Sequence, residues 1–172
     1  MKKTLTVFCL VFLFALPGKS QTNVPLKFQD RIQKLALELP AQQPGVALIK
    51  FAKTLIGIPY RYASSNPEKG FDCSGFVNYV FDNFGFKVPR SSREFPKAGT
   101  PVQLENAKVG DILIFTGSNP KVRSIGHVGI VYSVDGEDIK FIHSSSGKAQ
   151  GVTITEMNSY YKSRFMKAVS II

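Results

Sequence analysis

Phe71-Asp72-Cys73-Ser74-Gly75-Phe76 reads as a helix cap followed by the first turn of a helix. Val77, Val80, Phe81 and Phe84 follow at helical spacing, an apolar stripe that predicts a buried helix running to about Asn83, with Gly85 ending it. Cys73 then sits in the first turn, its sulfur at the positive end of the helix dipole. That position lowers a thiol pKa and raises the thiolate fraction, and the thiolate is the nucleophile. A lone cysteine more usually serves as a small buried hydrophobe. The hexapeptide alone leaves both readings open.

Upstream, Met1-Lys2-Lys3 is basic, and Leu5 to Leu16 is apolar except for Thr6. Pro17-Gly18-Lys19-Ser20 closes the run with turn-forming and small residues. This is the pattern of a secretory signal peptide over residues 1–20, too short to span a bilayer; a retained anchor is the rival reading. Cys9 lies inside the apolar run, away from any lipid-modified cleavage point. Cleavage near Ser20 removes Lys2, Lys3, Lys19 and Cys9. The formal charge falls from +10 to about +7, and Cys73 is left as the single thiol. A basic exported chain suits anionic surroundings such as a bacterial envelope. Export, and the lack of a dense Lys/Arg stripe interleaved with aromatics, argue against nucleic acid.

Phe28, Ile32, Leu35 and Leu39 predict a short helix over 27–39. Residues 21–43 thus form a helical extension ahead of one domain, 44–172. Val46, Ile49, Ala52 and Ile56 predict a second helix that ends at Gly57, and Pro59 makes 58–62 extended. Residues 64–70 read as a polar loop, and 90–110 as loop-rich. Strands are expected at 111–115, 126–134, 139–143, 152–154 and 164–172, with a helical turn near 158–161. Asp135-Gly136 signals a hairpin. Helices first and strands after favour an α+β fold with an antiparallel sheet.

The chain has two histidines, His127 and His143, both in predicted strands that the hairpin makes neighbours. Gly129 shares a face with His127 and leaves room beside the imidazole. Cross-strand partners lie within side-chain reach. Cys73, His127 and His143 can therefore be nucleophile, general base and orienting group. A strand histidine is more often a satisfied core residue. The three could also be zinc ligands, although no HxH, HExxH or CxxC spacing is present.

Six ordered pieces make the pattern specific: Gly57-Ile-Pro-Tyr60-Arg-Tyr62, Phe71-Asp-Cys73-Ser-Gly75-Phe, Pro89-Arg-Ser-Ser92, Val109-Gly-Asp-Ile-Leu-Ile-Phe115, Gly126-His127-Val-Gly-Ile-Val131 and Phe141-Ile-His143-Ser-Ser145. In this order and spacing the chain resembles the NlpC/P60 family of papain-like cysteine peptidases, over about residues 44–172. The resemblance implies an antiparallel sheet with the cysteine helix packed on it. It implies Cys73 as nucleophile, His127 as base and His143 as the polar third member. Tyr60 resembles the family tyrosine beside the thiol, able to bind substrate or help stabilise the oxyanion. Asp72 and Ser74 resemble residues that hold the free amine of an L-alanine in some members. Arg90 and Ser92 match a common stretch without a role attached.

The implied function is a secreted cysteine peptidase cutting bacterial peptidoglycan stem peptides, first at γ-D-glutamyl–diaminopimelate. The D-alanyl–diaminopimelate cross-link is the runner-up, and a non-catalytic wall-binding module on the same scaffold is a reading of another class. An acyltransferase or amidase on this scaffold is a third. Peptidoglycan peptides are the expected partner of a monomer that acts in the periplasm, envelope or outside the cell. No cofactor, metal, nucleic acid or membrane insertion after leader cleavage is expected.

Overall fold

The computed structural model describes residues 44–172. The segments expected to be a signal peptide (1–20) and a helix (27–39) lie outside the described residues. Helix α1, Pro44–Lys53, starts on a proline at the first helical position. It buries Leu48, Ile49, Phe51 and Ala52. It is shorter than the apolar spacing suggests: the main chain tightens into turns after Lys53, with Leu55 bonding Ala52 and Ile56 bonding Lys53. Ile56 is left exposed.

The loop expected at 64–70 contains a tiny hairpin, β1 (Ser65–Asn66) and β2 (Gly70–Phe71). Its tip is an Asn66 side chain accepting from the Glu68 N–H at 2.8 Å, a local bond that a polar loop sequence supplies. The chain then enters α2, Cys73–Asp82, which buries Ser74, Gly75, Phe76, Val77, Val80 and Phe81. Residues 92–97 form a short 3-10 helix, and β3 follows at Thr100–Val102. β3 lay inside the segment read as loop. It is a three-residue strand at the edge of the sheet, and Pro101 is tolerated there because an edge position does not need every N–H.

The remaining strands are β4 (Ile112–Thr116), β5 (Ile125–Asp135), β6 (Asp138–Ser145), β7 (Gly151–Glu156) and β8 (Phe165–Ser170). Helix α3, Ser159–Arg164, stands between β7 and β8. The six-stranded sheet has the order β3-β8-β4-β5-β6-β7, with every pair antiparallel. The Asp135-Gly136 hairpin is present, with Asp135 opposite Asp138. The fold is α+β, as the order of helices and strands predicts.

β4 is buried along its whole length because both of its faces are covered. Ile112 and Ile114 join a core built with α1 and α2, around Leu48, Phe51, Phe76 and Phe81. Leu113 and Phe115 join a second core with Val131, Phe141, Met157 and Ala168. The period-two pattern splits a continuous apolar strand between two clusters. Among the described residues, no helix is long and apolar enough to cross a membrane.

Candidate active site

Asp72 makes the start of α2. Its backbone is extended, and its carboxylate accepts the Gly75 N–H at 2.6 Å, an N-cap contact. Gly75 is needed there for space: a Cβ would stand 2.2 Å from the Ser64 carbonyl oxygen. This close approach ties the helix start to the segment before β1, and Asp72 N–H bonds the same Ser64 carbonyl at 2.9 Å. Ser144, fully buried on β6, donates to the Phe71 carbonyl at 2.7 Å. The cap, the thiol and the strand that carries His143 are thereby held in one frame.

Cys73 is half-buried, and its sulfur lies 4.0 Å from the carbonyl oxygen of Gly126, the residue before His127. Nε2 of His127 lies 2.7 Å from Nδ1 of His143, and Nε2 of His143 lies 2.9 Å from Oγ1 of Thr155. The row steps across three neighbouring strands, β5, β6 and β7. Gly129 makes the first step possible. A Cβ on it would stand 2.7 Å from Phe141 and 3.1 Å from the Cβ of His143. The room foreseen beside His127 is the room that His143 and Phe141 fill. The two histidine rings meet edge to face with centroids 4.9 Å apart, walled by Phe115, Phe141 and Tyr161. A hydrogen bond joins these two nitrogens, with no space for an ion between them.

Burial pushes the Cys73 thiol up from its ordinary 9.0, and the Asp72 charge adds to the rise. Backbone N–H groups of Val128, Ser74 and Cys73 act the other way and do not prevail. The dipole argument alone predicted a lowered thiol; desolvation outweighs it. Burial, His143 and Arg164 hold His127 well below its ordinary 6.5. Burial and Arg164 push His143 down to about 3. Arg164 is buried, donating to the Thr116 and Gly117 carbonyls at 2.9 and 2.8 Å, with Tyr160 and Tyr161 against its guanidinium. Both shifts favour the uncharged thiol and the uncharged imidazole at neutral pH, an arrangement that suits proton transfer from sulfur to a general base.

Tyr60 is half-buried near the thiol, its phenol pushed up by burial and then by the charges of Cys73 and Asp72. Arg90 is the residue that the sequence left without a role. Its Nη1 and Nη2 donate to the two Asp72 carboxylate oxygens at 3.0 and 2.6 Å, and Nη1 also reaches the Ser74 hydroxyl at 3.1 Å. Ser74 in turn donates to Asp72 at 3.2 Å. Asp72 and Ser74 are both buried, so with Arg90 they form a compact charged network beside the Cys73 thiol.

Residues 57–170 match the profile of the NlpC/P60 family. The chain belongs to the NlpC/P60 family. It is 36% identical over 124 residues to the gamma-DL-glutamyl hydrolase of Bacillus subtilis, covering 70% of this chain and 28% of that protein. It is 37% identical over 115 residues to the murein DD-endopeptidase MepS/murein LD-carboxypeptidase of Escherichia coli, covering 65% of this chain and 55% of that one. The chain thus spans between about a quarter and a little over half the length of these relatives. An NlpC/P60 crystal structure from Bacillus cereus superposes with a TM-score of 0.66 at 30% identity, covering 75% of this chain and 40% of that one.

Within this NlpC/P60 domain, the three residues expected to act together gather at one end of α2, where β5 and β6 pass. Tyr60, Asp72 and Ser74 stand around the thiol. Arg90, Ser144 and Thr155 went unread. Arg90 and Ser144 lay within quoted motif pieces, but their partners are distant in sequence. Thr155 sits in an ordinary β-branched strand with no local signal.

Proposed function

We propose that this chain is a cysteine peptidase that hydrolyses peptide bonds in bacterial peptidoglycan stem peptides. The observation that carries the reading is the row from Cys73 at the head of α2, past the Gly126 carbonyl, to the His127–His143 hydrogen bond. In this reading Nε2 of His127 is engaged by His143, and Nδ1 takes the thiol proton. The sulfur attacks the scissile carbonyl, and the carbon–nitrogen bond breaks as the leaving amine takes that proton from His127. Water then hydrolyses the acyl-enzyme with His127 again as base. The Cys73 N–H, at the first position of a helix, is a donor with no partner inside the helix, and with Tyr60 it supports the developing oxyanion. Tyr60, Asp72 and Ser74 form the substrate side of the thiol.

We assign the γ-D-glutamyl–diaminopimelate bond as the first target; the likeness to a gamma-DL-glutamyl hydrolase supports this. The D-alanyl–diaminopimelate cross-link is a second reading, favoured by the likeness to a murein DD-endopeptidase. The leader-like residues 1–20 and the basic charge support action in the cell envelope. Digestion of purified peptidoglycan, with mass spectrometry of the soluble fragments, tests the assignment. Stem fragments ending at D-glutamate support the first bond. Cross-linked dimers resolved to intact monomers support the second, and no release by folded protein overturns both.

A further inference from the structure

The row of polar contacts does not stop at His143. A neutral imidazole has one N–H and one bare nitrogen, so a chain of neutral rings is directional. His143 is fully buried, and both its nitrogens are engaged: Nδ1 by His127 and Nε2 by Thr155. No other hydrogen-bonding partner of either nitrogen occurs among the described residues. The two possible directions have opposite consequences. If Thr155 accepts, His143 carries its proton on Nε2 and accepts at Nδ1. His127 then carries its proton on Nε2, and its Nδ1 is bare. If Thr155 donates, His143 carries its proton on Nδ1 and donates to Nε2 of His127. A neutral His127 is then protonated on Nδ1, the nitrogen that has to receive the thiol proton.

We propose that Thr155 is a positioning residue that accepts a hydrogen bond from Nε2 of His143 and thereby fixes the tautomers of both histidines, leaving Nδ1 of His127 free to act as base. The inference rests on the reading of Cys73 and His127 as nucleophile and base. It also fits the charged step. When His127 has taken the thiol proton, its Nε2–H still needs a bare Nδ1 on His143, and only the accepting Thr155 provides it. Thr155 reaches His143 along a diagonal of the β6–β7 ladder, in which Thr155 lies opposite Phe141 and Thr153 lies opposite His143. Thr153 turns its hydroxyl to the Ile154 carbonyl at 3.5 Å, so the polar partner of His143 is the diagonal threonine.

With only two histidines in the chain, long-range proton–nitrogen spectra of ¹⁵N-histidine-labelled protein report both rings directly. They are recorded in a Cys73→Ala background, which keeps the thiol proton out of the measurement. Thr155→Val keeps the β-branched shape and removes the acceptor; Thr155→Ser keeps the acceptor; Thr155→Ala is a second deletion that does not depend on how Val packs. The expected result is an Nε2–H tautomer for His143 with Thr or Ser, and an Nδ1–H or mixed tautomer with Val or Ala. With Cys73 present, Val and Ala should lower kcat at least about tenfold at nearly constant KM, and Ser should restore it. An unchanged His143 tautomer in folded Val and Ala variants overturns the proposal, whatever the activity does. So does a kcat unchanged in both. Turnover that persists in Cys73→Ala overturns the peptidase mechanism instead, and the tautomer measurement keeps its meaning.

Discussion

His127 and His143 share a hydrogen bond of 2.7 Å, yet only His143 is fully buried. The half-buried ring belongs to the residue after Gly126, whose carbonyl lies 4.0 Å from the Cys73 sulfur, whereas the His143 ring is enclosed. The two should therefore be unequal. His127→Ala is expected to lower kcat/KM by about a thousandfold or more, the scale of losing a base in a triad. His143→Asn keeps an acceptor for Nε2–H of His127 and should cost roughly ten- to a hundredfold. Steady-state kinetics on one stem peptide decides the matter; a larger loss in His143→Asn than in His127→Ala exchanges the roles.

The same burial links the pair to acid stability. His143 is pushed down to about 3 in the folded protein, against about 6.5 in the unfolded chain. Below 6.5 the unfolded chain takes up a proton that the folded protein refuses. Stability from this residue is thus complete above about pH 6.5 and is lost as pH falls towards 3, by up to about 1.4 kcal/mol per unit. Urea midpoints at pH 7 and pH 4.5 should separate for the wild type by more than for His143→Asn. Carboxylates titrate in both proteins, so the difference between the two slopes isolates the histidine. Equal slopes would show that His143 protonates freely in the fold.

With the Cys73 thiol pushed up and the His127 imidazole pushed down, both side chains favour their uncharged forms. Thiolate absorbance near 240 nm should stay low through pH 7, and alkylation of Cys73 by iodoacetamide should slow by nearly tenfold for each unit of pH below the thiol's ordinary range. A rate that is flat between pH 5 and 8 would show a preformed thiolate–imidazolium pair, and with it a site more polar than its burial indicates. Cys73→Ala should abolish turnover and leave the circular dichroism unchanged, because the side chain is only half-buried.

Much of the site was legible because its chemistry is local. The cap at Asp72, the first-turn Cys73 and the Asp135-Gly136 hairpin each depend on neighbours within four residues, and a hairpin makes its strands adjacent without further information. The apolar runs gave the central strands to within about two residues at most ends. What could not be read were partners set by tertiary packing. β3 is an edge strand whose residues look like a loop, since it needs only a neighbour and no buried face. Arg90 stands eighteen positions from Asp72, and Thr155 twelve from His143. The lowered thiol expected from the helix dipole failed for a related reason: position in a helix is local, whereas burial is a property of the whole fold.

Arg90 and Asp72 give the sharpest test of what the site reads in its substrate. If Asp72 meets a free L-alanine amine, the charge near that amine is shared between a carboxylate and the guanidinium that grips both its oxygens. Asp72→Asn keeps a competent helix cap, because Asn and Asp rank together at that position. It leaves the Arg90 cation uncompensated beside the ammonium. Arg90→Met does the reverse and leaves a carboxylate with only the Gly75 N–H and the Ser74 hydroxyl upon it. Arg90 is half-exposed, so each change is worth about 1–2 kcal/mol after solvent screening, or roughly five- to thirtyfold. The measured quantity is the ratio of kcat/KM for a stem peptide with a free amine to that for its N-acetylated form. This ratio should fall in Asp72→Asn and rise in Arg90→Met, in variants with wild-type circular dichroism. A ratio that moves the same way in both, or in neither, confines the pair to holding α2 in place.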